Sequence, residues 1–538
     1  MDRREFFAVR KKRTPAFHRA VATGLNPYAG SWTRNEVAHL LKRTLFGATL
    51  ADINHFLSLS PSAAVDELLN TLPVAGTPLR DYGLIEDEFG VLHDDLGVAQ
   101  GQTWVNDLNT LSDPEVRGSI NRLRTESLLK WWTGMILTQN RSIVEKMVLF
   151  WHHHFSVQME EVGNATMLWR HHKIFRDNPM GSVKQMVRDV TIDPAMLFHL
   201  NGYLNSKLAP DENYARELQE LFTVGRGPGS GYTENDVMEA ARVLTGWRID
   251  STTLTSYYDQ ASHDTGSKTF SAFYNNTTIA NGAATEVEAL VNMIFTSTEA
   301  ARFICRKLYK WFVYYQIDET TETNVIIPLA ELLRTNDFAI KPVLEALLKS
   351  EHFFDPLNQS CYIKNPFDIV VGAIREFNIS VPAIGDWQNG YPFFEGIYSS
   401  TAGMQQELFQ PPDVSGWPAY YQEPMYYELW VNSNSLPRRA RFTDRLVEDN
   451  LIDAIGFAGN SSNPADPNQL TTDLCSLLLR YPLSLQSKNY TKNRFLLNNT
   501  GDDTVWTNTW NSGNTAAINT ALKELIKFIM NLPEYHLC

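Results

Sequence analysis

The stretch from Arg141 to Phe155 (RSIVEKMVLFWHHHF) most constrains what this chain can fold into. Wound as a helix, it places Glu145, Val148, Leu149 and His152 on one side and Met147, Phe150, Trp151 and His154 on the other. Both sides are largely apolar, and a helix that is apolar all round must be covered all round. The chain therefore has to build a thick core about this segment. Its 538 residues, 43% of them hydrophobic with 13 Trp, 21 Tyr and 28 Phe, are enough to do so. The same aromatic content excludes a disordered chain.

Helical periodicity recurs along most of the sequence. Thr33–Phe46 opens with an N-cap threonine and Glu36 three residues on, the capping-box spacing. Further helices are expected over Arg122–Leu137, Glu212–Val224, Thr233–Trp247, Thr285–Tyr315, Val325–Leu333, Ile340–Ser350, Asn365–Glu376, Leu436–Asn450, Thr471–Leu479 and Thr515–Met530. Alternating patterns are rare, and a small hairpin is expected within Arg248–Phe270. Polar stretches at Phe273–Ala283, Gly459–Gln469 and Asn498–Asn514 read as surface loops. The expected fold class is all-α, a single multi-helical body over residues 31–538 with long irregular loops, behind a tail of residues 1–30.

The net charge of −14, with no run of Lys or Arg beyond the first thirteen residues, argues against a nucleic-acid partner, which needs a basic stripe. No stretch approaches the roughly 20 apolar residues of a transmembrane helix. Arg3-Arg4-Glu5-Phe6-Phe7 resembles the start of a twin-arginine export signal, but Arg10-Lys11-Lys12-Arg13 follows where an apolar segment of about 7–15 residues belongs. Export, for example alongside a signal-bearing partner, is favoured slightly over a cytoplasmic location. Cys305, Cys361, Cys475 and Cys538 form no CxxC pair, which leaves disulfides and free thiols both open.

Several motifs occur in a recognisable order: Leu40–Thr49 (LLKRTLFGAT), Phe150–Phe155 (FWHHHF), Asp193–Leu197, Glu212–Gly225 (ENYARELQELFTVG), Gly231–Glu234, Ala241–Trp247, His263–Lys268, Gln410–Trp417 (QPPDVSGW) and Pro533–Tyr535. Together they resemble the mostly helical bacterial family known as domain of unknown function 1800, across about residues 36–538. His153 stands where the family pattern has Asn, Asn201 where it has Asp, and Tyr420 and Tyr421 where it has glycines. The resemblance implies a co-encoded partner related to sulfatases and alkaline phosphatases. It implies no reaction.

Chemistry-bearing residues gather in three places. On the Glu212–Val224 helix, Asn213, Arg216, Glu217 and Glu220 share a stripe opposite Tyr214, Leu218, Leu221 and Phe222. Glu217 and Glu220 suit metal ligands or an acid/base pair, with Asn213 and Arg216 as binding groups; a solvated face in which Arg216 pairs with Glu212 and Glu220 accounts for the pattern too. On the Arg141–Phe155 helix, Glu145 and His152 need partners if buried. His152 and His154 are candidate metal ligands, although they point apart on an ideal helix. His171 and His172 adjoin Arg170 and Lys173 and read as solvated. In the third place, His263, Asp264 and Lys268 suit general acid/base catalysis, or equally a turn held by an aspartate.

Three functions follow. The first is a metal-dependent enzyme with His152, His154, Glu217 and Glu220 around a divalent transition metal, assisted by His263, Asp264 or Lys268. The second is a non-catalytic exported scaffold that binds the sulfatase-like companion. The third is a carbohydrate-active hydrolase with paired carboxylates.

Overall fold

In the computed structural model, residues 21, 23–109, 112–417 and 430–538 are described. The Arg3-Arg4 motif and Tyr420–Tyr421 lie outside them. The protein is mostly helical, with three two-stranded sheets among the described residues. Two of these fall in or beside the expected hairpin region: Trp247–Asp250 pairs antiparallel with Thr255–Tyr258, and Lys268–Thr269 with Thr278–Ile279. No helix among the described residues is long and apolar enough to cross a membrane.

The Val144–His154 helix sits in the middle of the core, and every one of its residues is buried. It packs against Ala165–Asp177, which in turn meets Pro114–Leu137 and Val183–Thr191. The Pro114–Leu137 helix begins well before the expected Arg122. Asp113 caps it, Pro114 opens it, and buried Arg124 is bound by Asp95 and Asp107 (2.8 and 2.6 Å), so a charged first half is packed after all. The Thr33–Glu36 capping box is present as expected.

Two expectations are corrected. Thr285–Tyr315 divides into Glu286–Ile294 and Thr298–Phe312, because Ser297 turns its side chain onto the Glu299 amide and caps a new helix. Asn498–Asn514, read as a loop, contains the helix Thr504–Asn511, anchored by buried Trp506 donating to the Pro464 carbonyl (2.9 Å). All four cysteines are free.

Helices Arg34–Thr44 and Pro366–Glu376 approach at Gly47, whose φ is +76°. A Cβ there would lie 2.5 Å from the Gly372 Cα, a contact that only a backbone shift relieves. Gly47→Ala is expected to lower stability by about 2–4 kcal/mol, from left-handed strain and overpacking together. The midpoint of urea unfolding measures this, and an unchanged midpoint would show the two helices free to separate.

Candidate functional site

The candidate site grows from the end of the buried Val144–His154 helix. His152 Nε2 accepts the Phe409 amide (3.0 Å), His153 lies 3.2 Å from the Gln406 amide nitrogen, and His154 Nε2 meets the Phe222 carbonyl at 3.0 Å. The helix end therefore grips two other segments: the loop leading through Gln410–Trp417, and the turn after Glu217. The first is held further by Ser156 donating to the Val414 carbonyl (2.9 Å) and by Trp417 stacked on His153 at 4.5 Å. Gly416, at φ +80°, lies so close that a Cβ would stand 2.2 Å from the His153 carbonyl oxygen. Only glycine fits there, which explains the SGW part of the motif.

The Glu212–Val224 stripe is not one regular helix. Glu212–Glu217 is α-helical, and Leu218–Thr223 widens into a π-turn, a feature frequent at functional sites. Widening turns Glu220 away from Arg216. Arg216 binds Glu212 and Glu234 (3.0 and 2.7 Å), whereas Glu220 binds Arg226 (2.7 Å), so the expected Arg216–Glu220 pair does not form. Asn213 donates to the Leu200 carbonyl (3.3 Å).

Glu217 differs from its neighbours. It is half-buried and, among the described residues, carries no hydrogen bond or ion pair. Burial first, then the Glu220 charge, with Asp413 adding to it, pushes its carboxyl up to about 7; Arg226 and Arg216 oppose the rise. Three acidic groups from two separate motifs thus face one another across the gripped segments. Nearby, Lys307 lies over the Phe303 ring at 5.3 Å with no hydrogen bond or ion pair among the described residues, and burial beside Lys310 brings its ammonium down to about 8. Its charge in turn acts on His154.

The other predicted residues lie elsewhere. Glu145 forms a bidentate pair with Arg176 (2.6 and 2.8 Å), and the Arg176 Nε donates to His172 (3.0 Å). His171 and His172 are completely buried, contrary to expectation, because their side of the Ala165–Asp177 helix faces inward. His171 bridges Asp193 and the Phe155 carbonyl, both at 2.9 Å. His263 and Lys268 share the buried carboxylate of Glu286 (2.9 and 2.6 Å), and Asp264 pairs with Arg242 (2.8 Å). This cluster is enclosed and internally paired, and it staples the 245–286 excursion. Among the described residues no three His, Cys, Asp or Glu side chains converge into a group able to hold a metal ion, so His152, His154, Glu217 and Glu220 are not gathered as one ligand set. His152, His154 and Glu220 are instead engaged by the Phe409 amide, the Phe222 carbonyl and Arg226.

Sequence reasoning missed Asp413, Arg226, Lys307, Arg176 and Glu286. Asp413 had the clearest signal, since it sits in a quoted motif. The remaining four are brought in only by tertiary packing.

The protein is thus a mostly helical one in which the FWHHHF, ENYARELQELFTVG and QPPDVSGW motifs meet. A family model described as protein of unknown function (DUF1800) matches residues 39–537, and the chain belongs to that family. No curated protein and no solved structure matches it.

Burial holds His153 and His154 down to about 3, and His152 is lowered too. An unfolded chain takes up these protons near pH 6.5, whereas the folded one refuses them until far lower. Stability is therefore lost as pH falls from about 6.5. The urea midpoint is expected to decline between pH 6.5 and 5, and His153→Asn to flatten that decline. A midpoint constant over this window would show the imidazoles to be solvated.

Proposed function

We propose that this chain is an enzyme in which the Glu217 carboxyl gives or takes a proton at a polar substrate, with Glu220–Arg226 and Asp413 setting its charge environment. The observation that carries this reading is the unpaired, half-buried Glu217 beside two other carboxylates, positioned by a π-turn. Such a group adds nothing to folding. A carboxyl held near neutrality is, however, what general acid/base catalysis requires.

The test combines stability with turnover. Glu217 holds its proton in the folded state up to about pH 7 and in the unfolded state only to about 4.5, so its contribution is lost as pH rises through 7. Glu217→Gln is expected to be more stable than the wild type above pH 7. The purified protein, screened on glycosides, carboxylic esters and phosphate esters, is expected to turn over one class with a pH limb near 7. Glu217→Gln should lose that turnover by about 10²–10⁴-fold. A variant less stable at every pH would make Glu217 structural and end this reading. A stoichiometric metal retained by the wild type and lost in Glu217→Ala would replace it with the metal-dependent one.

A second reading, a docking protein, is favoured by a different observation. The hairpin Ile85–Glu86/Leu92–His93 and its flanks expose Leu84, Phe89 (80%), Val91, Leu92 and Leu96 (80%), along with the acids Glu86 and Glu88. Contiguous apolar exposure of this kind marks association surfaces. Phe89→Ser with Leu92→Ser is expected to abolish co-elution with the co-encoded sulfatase-like protein. Absence of co-elution in the wild type removes this reading.

A further inference from the structure

Away from the Glu217 site, a cavity of about 540 Å³ opens between the end of the Pro61–Asn70 helix, the end of Ala165–Asp177 and the 178–181 turn. Its volume lies in the range of small-molecule sites. Leu69, Val144, Trp169 and Met180 form its apolar wall. The charged groups on the wall are nearly all compensated: Lys173 pairs with Asp177, and Arg176 with Glu145 behind it.

Beside acceptors on Thr77, Asp177 and Asn178, the wall keeps several spare donors. Arg176 uses one N–H of each terminal nitrogen on Glu145 and its Nε on His172, so two N–H groups remain. Lys341 has a neutral partner, the Asn70 side-chain oxygen at 2.7 Å, and no carboxylate. The indole N–H of Trp131, a fully buried side chain, has no partner, and it lies 3.9 Å from where a Cβ on Gly76 of the cavity wall would stand. A buried donor without an acceptor is costly unless something supplies one. The site therefore has an apolar aromatic side, spare N–H groups and one uncompensated positive charge, within a chain of net charge −14.

We propose that this cavity binds a small organic anion, an apolar or aromatic body bearing a carboxylate, sulfonate or phosphate head, with the head toward Arg176 and Lys341 and the body against Trp169. The site is independent of Glu217. A Cβ at Gly76 meets only Trp131 Nε1, at an ordinary 3.9 Å, so the backbone there accepts a side chain at the cavity wall.

The experiment uses two fluorescent probes of similar body, 1-anilinonaphthalene-8-sulfonate and the uncharged N-phenyl-1-naphthylamine, titrated into the full chain at neutral pH. The anion is expected to bind with one-to-one stoichiometry. Lys341→Glu should weaken the sulfonate by about tenfold or more, the scale of a lost charge-assisted hydrogen bond, and leave the neutral probe unchanged. Gly76→Leu should abolish binding of both, with an unchanged urea midpoint certifying the fold. Binding of the sulfonate that is unsaturable, or indifferent to both substitutions, overturns the proposal. So does a neutral probe that binds as tightly as the anion.

Discussion

The structure depends on a neutral histidine used as an acceptor. His152 Nε2 accepts a hydrogen bond from the Phe409 amide deep in the core, which fixes its own proton on Nδ1 and joins the central helix to a segment 257 residues away. Its neighbours extend the grip, His153 to Gln406 and Trp417 and His154 to Phe222. Three consecutive imidazoles thus join the central helix to the Gln406–Trp417 loop and to the π-turn. His152 and His153 accept and so must stay uncharged, and burial keeps His154, which donates, uncharged as well, so the carboxylates carried on those segments are positioned by groups that add no opposing charge. This leaves the potential at Glu217 to be set by Glu220 and Asp413 against Arg226 and Arg216.

The π-turn is the other half of that arrangement. In a regular α-helix Glu220 stands one turn beyond Arg216 and pairs with it, and Glu217 is then one more residue on a solvated, balanced face. With the turn widened, Arg216 is left to Glu212 and Glu234, Glu220 reaches Arg226, and Glu217 stands alone between them. The local backbone, rather than a change of residue type, converts a salt-bridged surface into an unbalanced one.

Helix class, the burial of the Arg141–Phe155 stretch, and several helix starts were legible in the sequence, because apolar periodicity and N-caps such as Thr33 and Asn365 are local signals, whereas helices such as Ala165–Asp177 and Trp387–Gly403 were not anticipated. The π-turn was not. ELQELF keeps its apolar residues at helical spacing, so nothing in the pattern distinguishes a widened turn from a regular one. His171 and His172 were misread for a related reason. Arg170 and Lys173 flank them in sequence but project to the other side of the Ala165–Asp177 helix, and adjacency along the chain says little about which face is covered. The partners of Glu145 and His263, namely Arg176 and Glu286, lie 31 and 23 residues away. Motif reading supplied the groups that needed partners, and only the fold could supply the partners.

Much of the buried charge in the protein is compensated by ion pairs. Lys42 is paired with Glu376, Lys146 with Asp368, Arg124 with Asp95, Arg176 with Glu145, and Lys268 and His263 with Glu286. Each pair offsets a desolvation penalty of several kcal/mol per ion. Arg439, deep in the core, meets only carbonyl oxygens, so a carboxylate or an amine without an ion pair is an exception to this pattern but not a unique one. Replacing either by a neutral residue of similar shape would cost the fold nothing in paired interactions. Glu217 stands in that position where three motifs of the family meet, while Lys307, close to His154, has only the Phe303 ring at 5.3 Å. Under the proposed reading the partner of Glu217 is a group of the substrate rather than another residue of the chain.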